Sequence, residues 1–319
     1  MDLSIIIVNW NSAEFVRKCL TSISREGCDL KYEVIVIDGA SFDGCGEMLA
    51  REFAQVRFIQ CPTNVGFARA NNIASESAAG EYFLFLNPDT EIKGPAIKLL
   101  YEAGRRLPAS GIIGAKLLNT DGSVQTSCLQ AFPTIANQVL DAEVLRRVFP
   151  RLSLWGMAAL FARGETPVDV DVISGACMLV SRRIFEDIGR FSEDYFMYSE
   201  DVDLCHKTRQ AGWRNYFLPT ATVVHYGGGS SQQTSSVRMD VLMRESRLLY
   251  FTKFRGGLYA RLYRLAIGAI AIIRLLFMGV LLPFRLLDGN HQGLTRSMRK
   301  WRHILFWSLG MITRPKPAP

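Results

Sequence analysis

Hydrophobic and polar positions follow two rhythms along the first ninety residues. Short runs that are apolar at successive positions and rich in Val, Ile and Phe occupy 3–8, 32–37, 56–59 and 82–86, whereas 14–24, 44–53 and 68–78 carry apolar residues at helical spacing. The order predicts β-α-β-α units. Strands that are continuously apolar are covered on both faces, which argues for a parallel sheet with right-handed crossovers. A ligand of such a sheet binds beyond the carboxyl ends of its strands.

Two of the predicted strands end on an acid. YEVIVID stops at Asp38 and YFLFLNPDTEI breaks at Asn87-Pro88-Asp89. Each acid alone could be a helix cap or turn former. Two acids on one sheet edge repel unless a cation or donor-rich ligand lies beside them. The chain has no GxGxxG after its first strand and no GxxxxGK[ST], which argues against a dinucleotide oxidoreductase and a P-loop NTPase. A diphosphate bound without a glycine cradle needs a cation, and Asp89 offers the hard oxygen that suits Mg²⁺ or Mn²⁺.

Six segments extend the pattern in order: SIIIVNWN, VIVIDGASFDG, NVGFARANN, FLFLNPDTEI, ISGACMLVSRRIFEDIGRFSEDYFMYSEDVDLCHKTRQAGW and VVHYGGGSS, within residues 4–231. Together they resemble an inverting family 2 glycosyltransferase of GT-A fold, of the bacterial rhamnosyltransferase-like subgroup. The resemblance implies an α/β domain with a mixed, mainly parallel sheet flanked by helices. It implies that Asp38 meets the nucleotide base, that Asn9 or Trp10 lies where base and ribose are held, and that Asp89 binds the cation bridging the donor diphosphate. Asn87 stands where an acid is often found in the DxD motif, so His225 is the expected second ligand; the alternative is a histidine hydrogen-bonded locally at a strand end. Gly39 replaces the usual Asn after the base-binding acid. Arg69 is placed to contact ribose or diphosphate. Asn64 and Gly66 before it read equally as cap and turn. Gly175 and Ala176 fall on the acceptor and sugar side, although a plain buried strand explains their neighbours equally well.

Glu200, Asp201 and Asp203 open a predicted helix ending near Gly212. The helix dipole favours acids in a first turn, but three exceed what capping requires. Inverting transfer needs a carboxylate that takes the acceptor hydroxyl's proton. The resemblance places the ED motif on Glu200-Asp201, with Asp201 the expected base, Glu200 second and Asp203 a helix residue.

Composition then narrows the partners. With 319 residues, 49% of them hydrophobic, the chain can bury one large core and carry a tail. A catalytic domain is expected over 1–235 and a helical region over 236–319, with 131–167 an insertion at the acceptor entrance or a solvent-facing helix pair. Much of the net charge of +7 lies after Arg238, spaced among apolar residues, which suits an anionic membrane surface and not nucleic acid. The seven cysteines form no CxxC pair or zinc-type cluster, so a reduced, cytosolic domain fits. The N-terminus enters an apolar strand directly, without the basic start of a signal peptide.

In the tail, the apolar runs 265–273 and 275–284 are interrupted by Arg274. Their joint length meets the roughly 20 residues of a membrane span. A central arginine costs about 2.5–3.5 kcal/mol there, and Pro283 follows. The expectation is one or two helices lying in the cytoplasmic leaflet of a bacterial inner membrane with snorkelling arginines, over a full span. The segment 301–312, with Trp301 and Trp307, is expected as a further interfacial helix or as a packing helix. The combined expectation is an enzyme moving rhamnose or a similar hexose from a nucleoside diphosphate sugar to a lipid-linked glycan. The alternatives are another polysaccharide or glycolipid acceptor, or a catalytically silent membrane assembly protein.

Overall fold

A computed structural model describes residues 1–27, 29–141, 143–162, 164–227, 236–287 and 292–312. The expected rhythm is present. Strands β1 (Leu3–Asn9), β2 (Tyr32–Asp38), β3 (Arg57–Gln60) and β4 (Tyr82–Leu86) alternate with helices α1 (Ala13–Glu26), α2 (Cys45–Glu52) and α3 (Phe67–Ser77), each boundary within two residues of expectation. These four strands are mutually parallel. Leu3, Ile5, Ile6 and Ile7 of β1 are all fully buried, which is why the strand is apolar on both faces.

The chain continues through β5 (Thr90–Lys93), α4 (Ala96–Arg106), β6 (Ser110–Leu118), β7 (Leu129–Gln130), the short helices α5 (Ile135–Val139) and α6 (Glu143–Val148), β8 (Val168–Val170), β9 (Val172–Ile173), β10 (Cys177–Ser181), α7 (Arg182–Asp187), α8 (Glu200–Gln210) and β11 (Arg214–His225). The main sheet runs β3-β2-β1-β4-β10-β6-β11-β5, with β8 also on β11. β10 is antiparallel to β4 and β6, β11 is parallel to β6, and β5 is antiparallel to β11. The sheet is therefore mixed and mainly parallel.

The described residues form two compact units, one of 1–132 with 147–227 and the other of 133–146 with 236–312. The expected insertion at 131–167 is thus divided, its first part belonging with the C-terminal helices. In that second unit, α9 (Ser236–Arg255), α10 (Gly257–Leu287) and α11 (Gln292–Ser308) pack through aromatic residues. Phe251 lies 4.8 Å from Tyr263, Tyr263 lies 6.2 Å from Trp307, and Trp307 Nε1–H donates to Glu245 at 2.5 Å. Trp307 is fully buried, so α11 is a packing helix at this residue. The Ile135 N–H donates to the Tyr259 hydroxyl at 3.0 Å, fastening α5 to α10.

Arg274 explains how α10 keeps a charge within an apolar helix. Its guanidinium stacks 4.4 Å from the Trp301 ring centre and donates to the Asp141 carbonyl at 3.4 Å, so the charge is met inside the unit. The opposite face of α10 carries Leu258, Leu262, Leu265, Ile272, Leu276 and Val280, each between 48% and 72% exposed and spaced as one helical stripe. Over Gly257–Pro283 the helix is long and apolar enough to cross a membrane.

Candidate functional site

Strand register sets the first side of the site. Asn9 and Asp38 end adjacent parallel strands as direct partners. The Asp38 carboxylate accepts from Asn9 Nδ2 at 2.6 Å, from the Ser41 N–H at 2.6 Å and from Gln60 Nε2 at 2.8 Å. Asp38 is 1% exposed, so the acid expected to meet the base is engaged inside the protein, holding the turn after β2. Trp10 beside it is half-buried. Asp43, which the sequence reading did not single out, accepts from the Ala13 N–H at 2.8 Å and the Cys45 N–H at 3.2 Å, tying together the starts of α1 and α2. Its signal was the acid of GASFDG.

The second side is the Asn87-Pro88-Asp89-Thr90 turn between β4 and β5. Thr90 Oγ donates to the Asn87 carbonyl at 2.7 Å, and the Tyr226 N–H donates to the Asp89 carbonyl at 2.9 Å. Antiparallel pairing sets His225 opposite Thr90. His225 Nε2 then lies 3.3 Å from Asp89 Oδ1 and 3.3 Å from Asn87 Nδ2. The two expected cation ligands are brought together. Among the described residues no three His, Cys, Asp or Glu side chains cluster as a complete metal site. One carboxylate and one imidazole are donors that suit a divalent cation such as Mg²⁺ or Mn²⁺. Of the glycines after His225, Gly228 and Gly229 lie outside the described residues.

The third side is the start of α8. Tyr198 and Ser199 adopt left-handed backbone at φ 70° and 67°, an unfavourable conformation for side-chain-bearing residues that often marks functional sites. The turn delivers Glu200 into the interior, 8% exposed, and leaves Asp201 half-buried. Asp201 Oδ2 accepts from the Gly175 N–H at 3.0 Å and Oδ1 from the Val202 N–H at 2.8 Å. A Cβ at Gly175 would sit 3.4 Å from Asp201 Cβ, an ordinary van der Waals contact, so the approach rests on the N–H bond and not on the missing side chain. Asp203 is fully buried, accepts from Ser192 Oγ at 2.8 Å and pairs with Lys207 at 3.4 Å, a role that braces the loop before the helix.

That loop is held from α3 as well. The Phe67 N–H donates to the Phe196 carbonyl at 3.0 Å, and a Cβ at Gly66, whose φ is +82°, would lie 2.4 Å from the same oxygen. Asn64 Oδ1 accepts from the Gly66 N–H at 3.0 Å, the turn role open to it from sequence. Arg69 is exposed and lies 3.6 Å from Glu193.

One chain of contacts links the second and third sides. The Asn87 N–H donates to the Ala176 carbonyl at 3.0 Å, and the neighbouring Gly175 N–H donates to Asp201. Thiol chemistry is remote from this arrangement, because burial pushes Cys19, Cys45, Cys128 and Cys177 up to about 12.

Comparison with known proteins adds to the geometry. The model of glycosyl transferase family 2 matches residues 4–189. The N-acetylglucosaminyl-diphospho-decaprenol L-rhamnosyltransferase of Mycobacterium tuberculosis is 30% identical over 241 residues, covering 72% of this chain and 77% of that protein. Rhamnosyltransferase WbbL of Escherichia coli is 28% identical over 240 residues, covering 70% and 82%. The mannosyltransferase PcManGT from Pyrobaculum calidifontis, solved with GDP-Man and Mn²⁺, superposes with a TM-score of 0.59 at 16% identity, covering 97% of this chain and 86% of that one. That likeness shows a shared GT-A fold.

Proposed function

The chain belongs to glycosyl transferase family 2, and from that membership we propose that it transfers rhamnose, or a similar hexose, from a nucleoside diphosphate sugar to a lipid-linked glycan acceptor in cell-surface polysaccharide synthesis. The observation that carries the reading is the linkage of Asn87 through Ala176 and Gly175 to Asp201, which ties the half-buried Asp201 carboxylate to the acidic turn. Asp201 takes the proton of the acceptor hydroxyl. The hydroxyl oxygen forms its bond to the anomeric carbon from one face, and the bond to the diphosphate breaks on the other, its electron pair leaving with the nucleoside diphosphate. Gly175 and Ala176 line the sugar and acceptor side. Asp89 and His225 would hold a Mg²⁺ or Mn²⁺, whose chemistry when bound is to neutralise charge gathering on the leaving diphosphate. Trp10 and Arg69 offer accessible groups to the base, ribose and diphosphate, while Asp38 and Asn9 keep that edge in shape. Asn87 stays in the turn as a neutral neighbour of the cation.

The test is direct. Purified protein with Mn²⁺, a nucleoside diphosphate-rhamnose and a lipid diphosphate carrying N-acetylglucosamine is expected to add one deoxyhexose, read by mass spectrometry. Transfer to water instead, or to no acceptor with any nucleoside diphosphate sugar, overturns the assignment.

The acceptor's lipid fits the apolar stripe of α10, which we place in the cytoplasmic leaflet with its helix axis along the membrane plane. Each stripe residue withdrawn from water contributes about 1.5–3 kcal/mol. Leu265→Glu combined with Leu276→Glu is therefore expected to weaken binding to anionic vesicles by at least about tenfold, measured by flotation. A wild-type protein that ignores vesicles and stays monomeric without detergent removes the membrane from the proposal.

A further inference from the structure

The turn after β6 carries polar residues that neither the family motifs nor the transfer step uses. Asn119 to Ser123 close a hairpin, with the Asn119 N–H donating to the Ser123 carbonyl at 2.8 Å. From this turn a line of side chains runs to the site. Ser123 Oγ donates to Asp121 Oδ1 at 2.6 Å, Asn119 Nδ2 donates to Ser123 Oγ at 2.9 Å, and Gln125 Nε2 donates to Asn119 Oδ1 at 3.2 Å. Gln125 Oε1 lies 2.7 Å from His225 Nδ1.

The direction of every bond in this line follows from its far end. Asp121 can only accept when ionised, and the Ser123 hydroxyl and backbone N–H hold its carboxyl below the usual carboxylate range. The single hydroxyl proton of Ser123 is committed to Asp121, so Ser123 Oγ accepts from Asn119. Asn119 must then turn its oxygen towards Gln125. Gln125 answers with its NH₂ group, which also reaches the His225 carbonyl at 3.5 Å, and this leaves its oxygen facing the imidazole. An oxygen at 2.7 Å requires the proton on Nδ1. In the neutral ring Nε2 then carries only a lone pair, which faces Asn87 Nδ2 at 3.3 Å and lies 3.3 Å from Asp89 Oδ1.

We propose that Asp121, Ser123, Asn119 and Gln125 form a positioning relay that fixes the tautomer of His225 and aims its Nε2 lone pair beside Asp89 as a divalent-cation half-site. Gln125 is the positioning residue in contact with the ring. Groups of this kind hold ligating imidazoles by their second nitrogen, and their loss weakens metal binding by about 10–100-fold. The relay rests on the cation reading of the function given above, but the tautomer can be observed without any metal.

The experiment uses full-length protein labelled with ¹⁵N-histidine, at a pH where the ring is neutral, with the His225→Asn spectrum identifying the resonance. Wild type is expected to show a protonated Nδ1 and an unprotonated Nε2, and Gln125→Met to lose that preference. Mn²⁺ affinity in the presence of nucleoside diphosphate, read by EPR of the free ion, is expected to fall about 10–100-fold in Gln125→Met. Gln125→Glu, which still accepts from Nδ1–H, is expected to keep the tautomer and to bind Mn²⁺ within a few-fold of wild type. A protonated Nε2 in the wild type overturns the relay. So does an unchanged tautomer and Mn²⁺ affinity in Gln125→Met. A correct tautomer in a wild-type protein that takes up no Mn²⁺ overturns the cation reading instead.

Discussion

Asp89→Ala is expected to abolish sugar transfer, lowering kcat/KM by about a thousandfold or more, and to remove any Mn²⁺ dependence of nucleotide binding. The expectation follows from what the side chain does and does not hold. The turn around it is kept by bonds that survive the substitution: Thr90 Oγ to the Asn87 carbonyl, and the Tyr226 N–H to the Asp89 carbonyl, which is backbone. The fold should therefore remain, seen as an unchanged circular dichroism spectrum. What disappears is the carboxylate 3.3 Å from His225 Nε2, so that of the proposed pair only the neutral imidazole is left to offer a hard cation. Nucleotide binding measured with and without excess EDTA separates the two contributions. Full activity of the variant, or of wild type in EDTA, removes the cation from this turn.

The first four strands and three helices were legible in the sequence because each strand is buried on both faces and each helix has one apolar side. A strand was open to sequence at β10 and at the end of β11, but the order of these strands in the sheet was not. Their places between β4 and β5 depend on antiparallel pairing across long loops, and no local pattern encodes which strands lie side by side. The same limit separates the parts of the site. Asp89 and His225 could be named from their motifs, but only the pairing of β11 with β5 brings them together. Asp38 was visible as an acid at a strand end. Its inward network of Asn9, Ser41 and Gln60 was not, since those polar residues look like any turn. Asn119, Ser123 and Gln125 escaped for the same reason: NTDGSVQ is ordinary hairpin chemistry, and its reach to His225 is a property of the folded chain. In the tail, Arg274 was expected to snorkel, but Trp301 and Asp141 give the charge a place inside the helical unit. The two runs it interrupts in sequence form one uninterrupted apolar stripe in space.

Asp201→Asn is expected to lower kcat by at least about a hundredfold while the dissociation constant for the nucleoside diphosphate sugar stays near the wild-type value. Adjacent residues on a helix point about 100° apart, so Glu200 and Asp201 cannot serve one acceptor hydroxyl together. The structure separates them. Glu200 turns into the interior at 8% exposure, whereas Asp201 is half-buried and rests on the Gly175 N–H, next to the strand that touches Asn87. An asparagine keeps the size and one acceptor oxygen of Asp201 but has no lone pair basic enough to take the hydroxyl proton. It loses one of the two backbone hydrogen bonds, which costs about 0.5–1.5 kcal/mol and lowers thermal stability by a few degrees without unfolding the domain. In the proposed mechanism donor binding depends on the Asp89 turn and on the edge built from Trp10, Asn9 and Asp38, and the two bonds described for Asp201 run to the Gly175 and Val202 N–H groups instead. The split between kcat and donor affinity is the informative readout, because a merely structural role would depress both. Glu200→Gln, which preserves shape in a buried position, is expected to have the milder effect. If Glu200→Gln is the inactive variant and Asp201→Asn turns over normally, the two acids exchange roles; if both retain activity, the strained turn at Tyr198 and Ser199 serves packing and the base lies elsewhere.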